Sequence, residues 1–148
     1  MVNWMSRFGR RFQNEIDTIQ DVYPGARILR AAKASRYCLT CNGIGSNDHL
    51  VVVATIVTKI GQKYPVLMVY PCEFPNRIPA VYPLRPLKPN TPHQYFDNRI
   101  CLTSNEYDNS VTGAQVLGMA YGWFTCYDIW SKTGKFPPNN YGKHRVRR

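Results

Sequence analysis

Pro92-His93-Gln94-Tyr95-Phe96-Asp97-Asn98-Arg99-Ile100-Cys101-Leu102 is the stretch on which the reading of this chain turns. Cys101 stands eight residues after His93, between a proline-rich segment and a long aromatic-rich segment. Flanked by Ile100 and Leu102, it reads as a strand-to-loop junction. A thiol there, with no partner cysteine at metal or redox spacing, is better placed as a nucleophile than as a structural link. A thiolate nucleophile needs exposure and donors for the oxyanion of a tetrahedral intermediate. An irregular loop ahead of Cys101 can expose backbone N–H groups. His93 is the candidate to orient that loop or to shift the thiol's proton affinity.

Working upstream, Pro71, Pro75, Pro79, Pro83, Pro86, Pro89 and Pro92 account for seven of the eleven prolines. Proline lacks the backbone donor and fixes φ, so regular helix is excluded over 71–92. A short edge strand around Ala80-Val81-Tyr82 is expected, and the apolar and aromatic content argues for an ordered stretch packed on the body. Three strands are expected at about 36–41, 49–58 and 64–70, as an antiparallel meander. Leu50 to Val57 is rich in the β-branched residues that suit a pleated surface. Asn42-Gly43 to Asn47-Asp48 and Gly61-Gln62 supply the turns. Residues 27–33 are ambiguous. At the start, Phe8, Phe12, Ile16 and Ile19 predict an amphipathic helix over 3–22, ended by Pro24-Gly25, with Arg7, Arg10 and Arg11 off the apolar stripe.

Downstream, Val116, Ala120, Trp123, Tyr127 and Trp130 alternate spacings of four and three and predict a helix over 111–130. Asn109 or Ser110 is its expected cap. Gly113, Gly118 and Gly122 each cost such a helix roughly 1 kcal/mol relative to alanine, which points to close packing or a late start.

The 148 residues are expected to form a single domain over 1–148 with a basic tail at about 139–148. The net charge of +10 allows nucleic-acid binding, an acidic protein partner or plain solubility. Dispersal of most bases disfavours nucleic acid. No apolar run is long enough to span a membrane, and Met1 to Arg7 lacks a signal-peptide core. A cytoplasmic protein with its five cysteines reduced is therefore expected. Cys38 and Cys41 have zinc-ligand spacing but no second pair, so they read as ordinary buried thiols, and Cys72 and Cys126 read as core or half-buried thiols. His49 reads as a strand-end histidine with no role. No metal or cofactor is expected.

The chain resembles the ubiquitin-conjugating enzymes, an α+β fold with an N-terminal helix, antiparallel four-strand meander, proline-rich flap, active-site loop and long C-terminal helix. Tyr64-Pro65-Val66 to Val69-Tyr70-Pro71 stands as the third strand. Phe74-Pro75 and Ile78-Pro79 are similar to the flap, and Pro92-His93 to the family's His-Pro-Asn segment. Arg99-Ile100-Cys101-Leu102 matches the active-site strand, and 111–130 the helix that follows. Gln94-Tyr95 stands where the family has Pro-Asn, the His-to-Cys distance is two residues shorter, and Tyr107 is near the place of a missing tryptophan. Loss of an oxyanion donor costs about 10²–10³ in rate, so Asn98, Tyr95 or backbone N–H groups are the candidates to compensate.

These departures, with the ending Ile129 to Pro138, are similar to the prokaryotic branch of the fold, including stand-alone members of bacterial anti-phage cyclic-nucleotide systems of the CBASS type. The resemblance implies an acyltransferase whose Cys101 forms a thioester with a partner's C-terminus. The partner implied is a cGAS-like nucleotidyltransferase, or alternatively a bacterial ubiquitin-like protein. Glu106 and Asp108 are candidates for steering an incoming amine. Arg7, Arg10 and Arg11 are candidates for a partner-docking face. A non-catalytic binding module of the same fold is the competing reading, and the absent Pro-Asn favours it.

Overall fold

In the computed structural model, residues 4–31, 49–102 and 109–138 are described. The helices are α1 (Trp4–Arg7), α2 (Gly9–Val22) and α3 (Gly113–Thr133), and the strands β1 (Arg27–Ala31), β2 (His49–Val57), β3 (Lys63–Val69) and β4 (Ala80–Pro83). The strands pair antiparallel in the order β1-β2-β3-β4, each on its chain neighbour. The ambiguous stretch 27–33 thus contributes β1; the expected strand at 36–41 lies outside the described residues. The edge strand expected around Ala80 is present and stops at Pro83, where the backbone donor is lost.

Strand periodicity sorts β2 into two faces. Leu50, Val52, Ala54 and Ile56 are buried in the main core with Val66 and Met68 of β3 and Val81 of β4. Val116, Leu117, Ala120, Trp123, Phe124 and Tyr127 of α3 join the same cluster, so α3 covers this face of the sheet. Val51, Val69 and Tyr82 form a smaller cluster on the other face. Fully burying one such aliphatic side chain contributes about 1.5–3 kcal/mol.

The N-terminal helix is broken rather than continuous. Phe8 has φ −121° between α1 and α2 and is 41 % exposed. The buried positions are Trp4, Met5, Glu15 and Ile19, with Phe12 half-buried, so the apolar stripe runs through Phe12 and Ile19 and leaves Phe8 out. Trp4 packs against Phe74 (ring centroids 4.5 Å apart) and stacks on Tyr70 (5.4 Å), which seats the helix on the flap.

Glu15 falls on the buried stripe and is 1 % exposed. Its Oε1 accepts from Tyr70 Oη at 2.6 Å and from the Gly113 N–H at 2.7 Å, and Oε2 accepts from Arg11 Nε at 3.2 Å. Arg11 also donates to the carbonyls of Asn109 and Val111. One carboxylate therefore joins α2, the end of β3 and the start of α3. Asp128 does the same at the far end of α3, accepting from Thr58 Oγ1 at 2.6 Å and from Tyr64 Oη.

The cap of α3 is Thr112, not Asn109 or Ser110. Its hydroxyl accepts from the Gln115 N–H while Gln115 Oε1 accepts from the Thr112 N–H, a reciprocal capping box. The helix runs past Trp130 to Thr133 and ends where Gly134 takes φ 78°. A Cβ at Gly113 would lie 1.9 Å from Tyr70 Oη, so close packing does explain that glycine; Gly118 has nothing within 4 Å.

The expectation of uniformly reduced cysteines is overturned at Cys72, which is disulfide-bonded. Linear spacing carries no information on which thiols the fold brings together. Cys101 and Cys126 are free. His49 is 3 % exposed, and its Nδ1 bonds the Tyr70 carbonyl at 3.0 Å.

Candidate functional site

Residues 94–100 form a small hairpin. Gln94 bridges Ile100, the Tyr95 N–H donates to the Arg99 carbonyl at 2.8 Å, and the Asn98 N–H donates to the Tyr95 carbonyl at 2.9 Å. Asn98 closes the turn at φ 76°, a left-handed conformation that asparagine tolerates better than most residues. Gln94 Nε2 donates to the Asn98 carbonyl and the Arg99 N–H to Asp97 Oδ1. Phe96, near the tip, is fully exposed. The hairpin is anchored on the sheet edge by the Ile100 N–H, which donates to the Val81 carbonyl of β4 at 3.0 Å.

Cys101 leaves this hairpin half-buried between the buried Ile100 and Leu102. Its backbone N–H donates to the His93 carbonyl at 2.8 Å, and the same carbonyl accepts from Trp123 Nε1 of α3 at 3.0 Å. His93 itself sits at φ 56°. Its ring lies 4.9 Å from Phe136, which also rests on Trp123 at 5.6 Å. The link from His93 to Cys101 therefore runs through backbone, with the imidazole set against an aromatic ring.

Cys101 Sγ lies 3.5 Å from Tyr95 Oη. The Tyr95 ring is held beneath the Arg99 guanidinium, 4.3 Å from the ring centroid, and Arg99 Nε lies 3.7 Å from Asp97 Oδ2. By contrast, Cys126 on α3 is 9 % exposed, and burial pushes its thiol up from the ordinary value. Between these two thiols, Cys101 is the more accessible.

The fold thus brings His93, Tyr95 and Cys101 together. Asn98 belongs to the same hairpin, where it closes the turn through its backbone. Asp108 and Glu106 lie outside the described residues. Arg7 and Arg10 are exposed, with Arg7 over the Phe8 ring at 5.3 Å. Arg11 is turned inward onto Glu15, Asn109 and Val111 and so is committed to holding the fold together. Sequence reasoning did not single out Trp123 as a donor to the His93 carbonyl or Arg99 as the cover of Tyr95. A cross-hairpin contact has no periodic signature in the chain.

Among the described residues, no three His, Cys, Asp or Glu side chains converge as metal ligands, and no helix is long and apolar enough to cross a membrane. The family model described as Type II CBASS E2 protein matches residues 16–143. No curated protein and no solved structure matches the chain. The match takes in the meander, the hairpin, Cys101 and all of α3, and the chain belongs to the Type II CBASS E2 protein family, the E2-like proteins of anti-phage operons.

Proposed function

We propose that Cys101 carries the C-terminal carboxyl of a partner protein as a thioester and passes it to an amine or releases it. A thioester forms by displacement from an already activated carboxyl, such as an acyl adenylate or another thioester. It keeps the acyl group reactive, so the later step needs positioning more than further activation. The observation that carries the reading is the half-buried Cys101 thiol at the sheet edge, in no disulfide and with its backbone fixed by the His93 carbonyl, in a chain of the E2 family. Within an anti-phage operon, the partner is most simply a cGAS-like nucleotidyltransferase, with a ubiquitin-like protein as the alternative cargo. His93 supports the site through its carbonyl, and Arg7 and Arg10 offer a basic docking face. Asp108 is proposed to steer the incoming amine.

A binding-only role is favoured by one feature, Gln94-Tyr95 in place of the Pro-Asn pair, which leaves Tyr95 where an asparagine is otherwise expected. Intact mass of the protein from its own cells separates the two readings. The carrier reading expects an added mass equal to the partner less one water, removed by thiol and absent in Cys101→Ala. An adduct that survives in Cys101→Ala would sink it. A bare mass, with Cys101 no more alkylation-prone than Cys126, leaves the binding module.

A further inference from the structure

We propose that the Tyr95 hydroxyl acts on the reacting sulfur, donating a hydrogen bond to Cys101 Sγ whenever that sulfur carries negative charge. The inference rests on the reading of Cys101 as an acyl carrier. In the neutral site the thiol S–H donates to Tyr95 Oη across 3.5 Å. A phenol ordinarily holds its proton more tightly than a thiol does. When the thiol loses its proton, the same pair therefore reverses, and the phenol becomes the donor. Hydrogen bonds to an ionised acceptor are roughly twice as strong as those between neutral groups.

Both partners are held by paired backbone. Tyr95 is fixed by its N–H on the Arg99 carbonyl and by the Arg99 guanidinium over its ring. Cys101 is fixed by its N–H on the His93 carbonyl, and Ile100 between them is tied to Val81 of β4. The hydroxyl thus waits at the sulfur without further ordering, as electrostatic assistance requires.

The chemistry that uses it is the discharge of the acyl group. An amine nitrogen attacks the thioester carbonyl carbon, a C–N bond forms, and the carbonyl π pair moves onto oxygen. As that pair returns, the C–S bond breaks and its electrons go to Sγ, while the extra proton on nitrogen passes to solvent. The charge arriving on sulfur meets the Tyr95 O–H. Loading runs through the same thiolate, which attacks the activated carboxyl and expels its leaving group. With Tyr95 standing where the resemblance placed an asparagine, and the Gln94 amide already bonded to the Asn98 carbonyl, the assistance is relocated toward the sulfur.

The test is the pH profile of iodoacetamide alkylation of Cys101, read by peptide mass, in the full chain and in Tyr95→Phe. Phe keeps the ring beneath Arg99 and removes only the hydroxyl. The charged and titratable side chains described around the loop are His93, Asp97 and Arg99, and the α3 side of the site presents Trp123 and Phe136, which are neutral. None of these changes in Tyr95→Phe. The expected result is an alkylation midpoint raised by about one pH unit. A midpoint that does not move overturns the proposal. Should Tyr95→Phe fail to fold by its thermal melt, 3-fluorotyrosine placed at position 95 alone keeps ring and hydroxyl and makes a stronger donor. It is expected to lower the midpoint, and no change there overturns the proposal equally. Intact mass of the unmodified protein keeps the two readings apart: a shifted midpoint without any adduct defeats the carrier reading alone, and an adduct with an unshifted midpoint defeats the role of Tyr95 alone.

Discussion

Replacing Glu15 with Gln should cost the fold about 3 kcal/mol, and the sum follows from its partners. Glu15 is 1 % exposed, and its Oε1 accepts from both Tyr70 Oη and the Gly113 N–H. A bond to a charged acceptor contributes about 1.5–3 kcal/mol, and one between neutral groups about 0.5–1.5. Neutralising the acceptor therefore removes about 1 kcal/mol from each of these two bonds. The Arg11 pair, whose cation is 25 % exposed, adds up to about 1 kcal/mol, and an amide N–H₂ in place of Oε2 would face the Arg11 donor. Glu15→Ala should cost more, about 4–5 kcal/mol, since the buried Tyr70 and Gly113 donors then lose their acceptor. Against a total stability of about 5–15 kcal/mol these are large losses. Urea unfolding at neutral pH measures them, and a double-mutant cycle with Tyr70→Phe isolates the Glu15–Tyr70 coupling. A Glu15→Gln loss under about 1 kcal/mol would refute the reasoning, because the carboxylate would then not be the junction of α2, β3 and α3.

Trp123→Phe should destabilise by roughly 2–3 kcal/mol through the lost indole volume and the lost bond to the His93 carbonyl. Because that carbonyl also receives the Cys101 N–H, alkylation of Cys101 should change several-fold while the melt still shows a folded protein, and an unchanged rate would separate the thiol from α3. Thr112→Ala removes the capping hydroxyl and should lower stability by about 1 kcal/mol in urea, and an unchanged midpoint would count against the capping box. In alkali the sign is set by two buried tyrosines. Burial raises Tyr70 well above its ordinary value of 10.0, with the Glu15 charge adding to it. Burial raises Tyr64 likewise, with Asp128 reinforcing it. Unfolded tyrosines ionise near pH 10 while these stay protonated, so the stability they contribute is complete below pH 10 and lost above it. The urea midpoint should fall as pH rises past that point, and Tyr64→Phe should flatten the fall; a level midpoint would count against it.

Elements with a strong repeat were legible in the chain. The α3 stripe Val116, Ala120, Trp123 and Tyr127 is buried as its spacing required, and Leu50 to Val57 forms the central strand β2. The capping box is present in the sequence as Thr112 and Gln115, but Asn109 and Ser110 are equally good cap residues, and only the backbone places Thr112 at the helix start. The broken N-terminal helix was not legible, because Phe8 satisfies the repeat as well as Trp4 does and only packing on Phe74 and Tyr70 chooses between them.

The site divides the same way. Local sequence by itself determined that residues 71–92 could not be helix and that a long aromatic helix would follow Cys101, since proline geometry and hydrophobic period act within a few residues; the irregular loop expected ahead of Cys101 is instead a paired hairpin over 94–100. Tertiary structure alone decided that Arg11 turns inward, that Cys72 is bonded, that Trp123 reaches the His93 carbonyl and that Tyr95 comes to the sulfur of Cys101. Each of these depends on how strands register and where a helix lands. Those are the outcomes of burying surface between residues far apart in the chain, which no local pattern encodes.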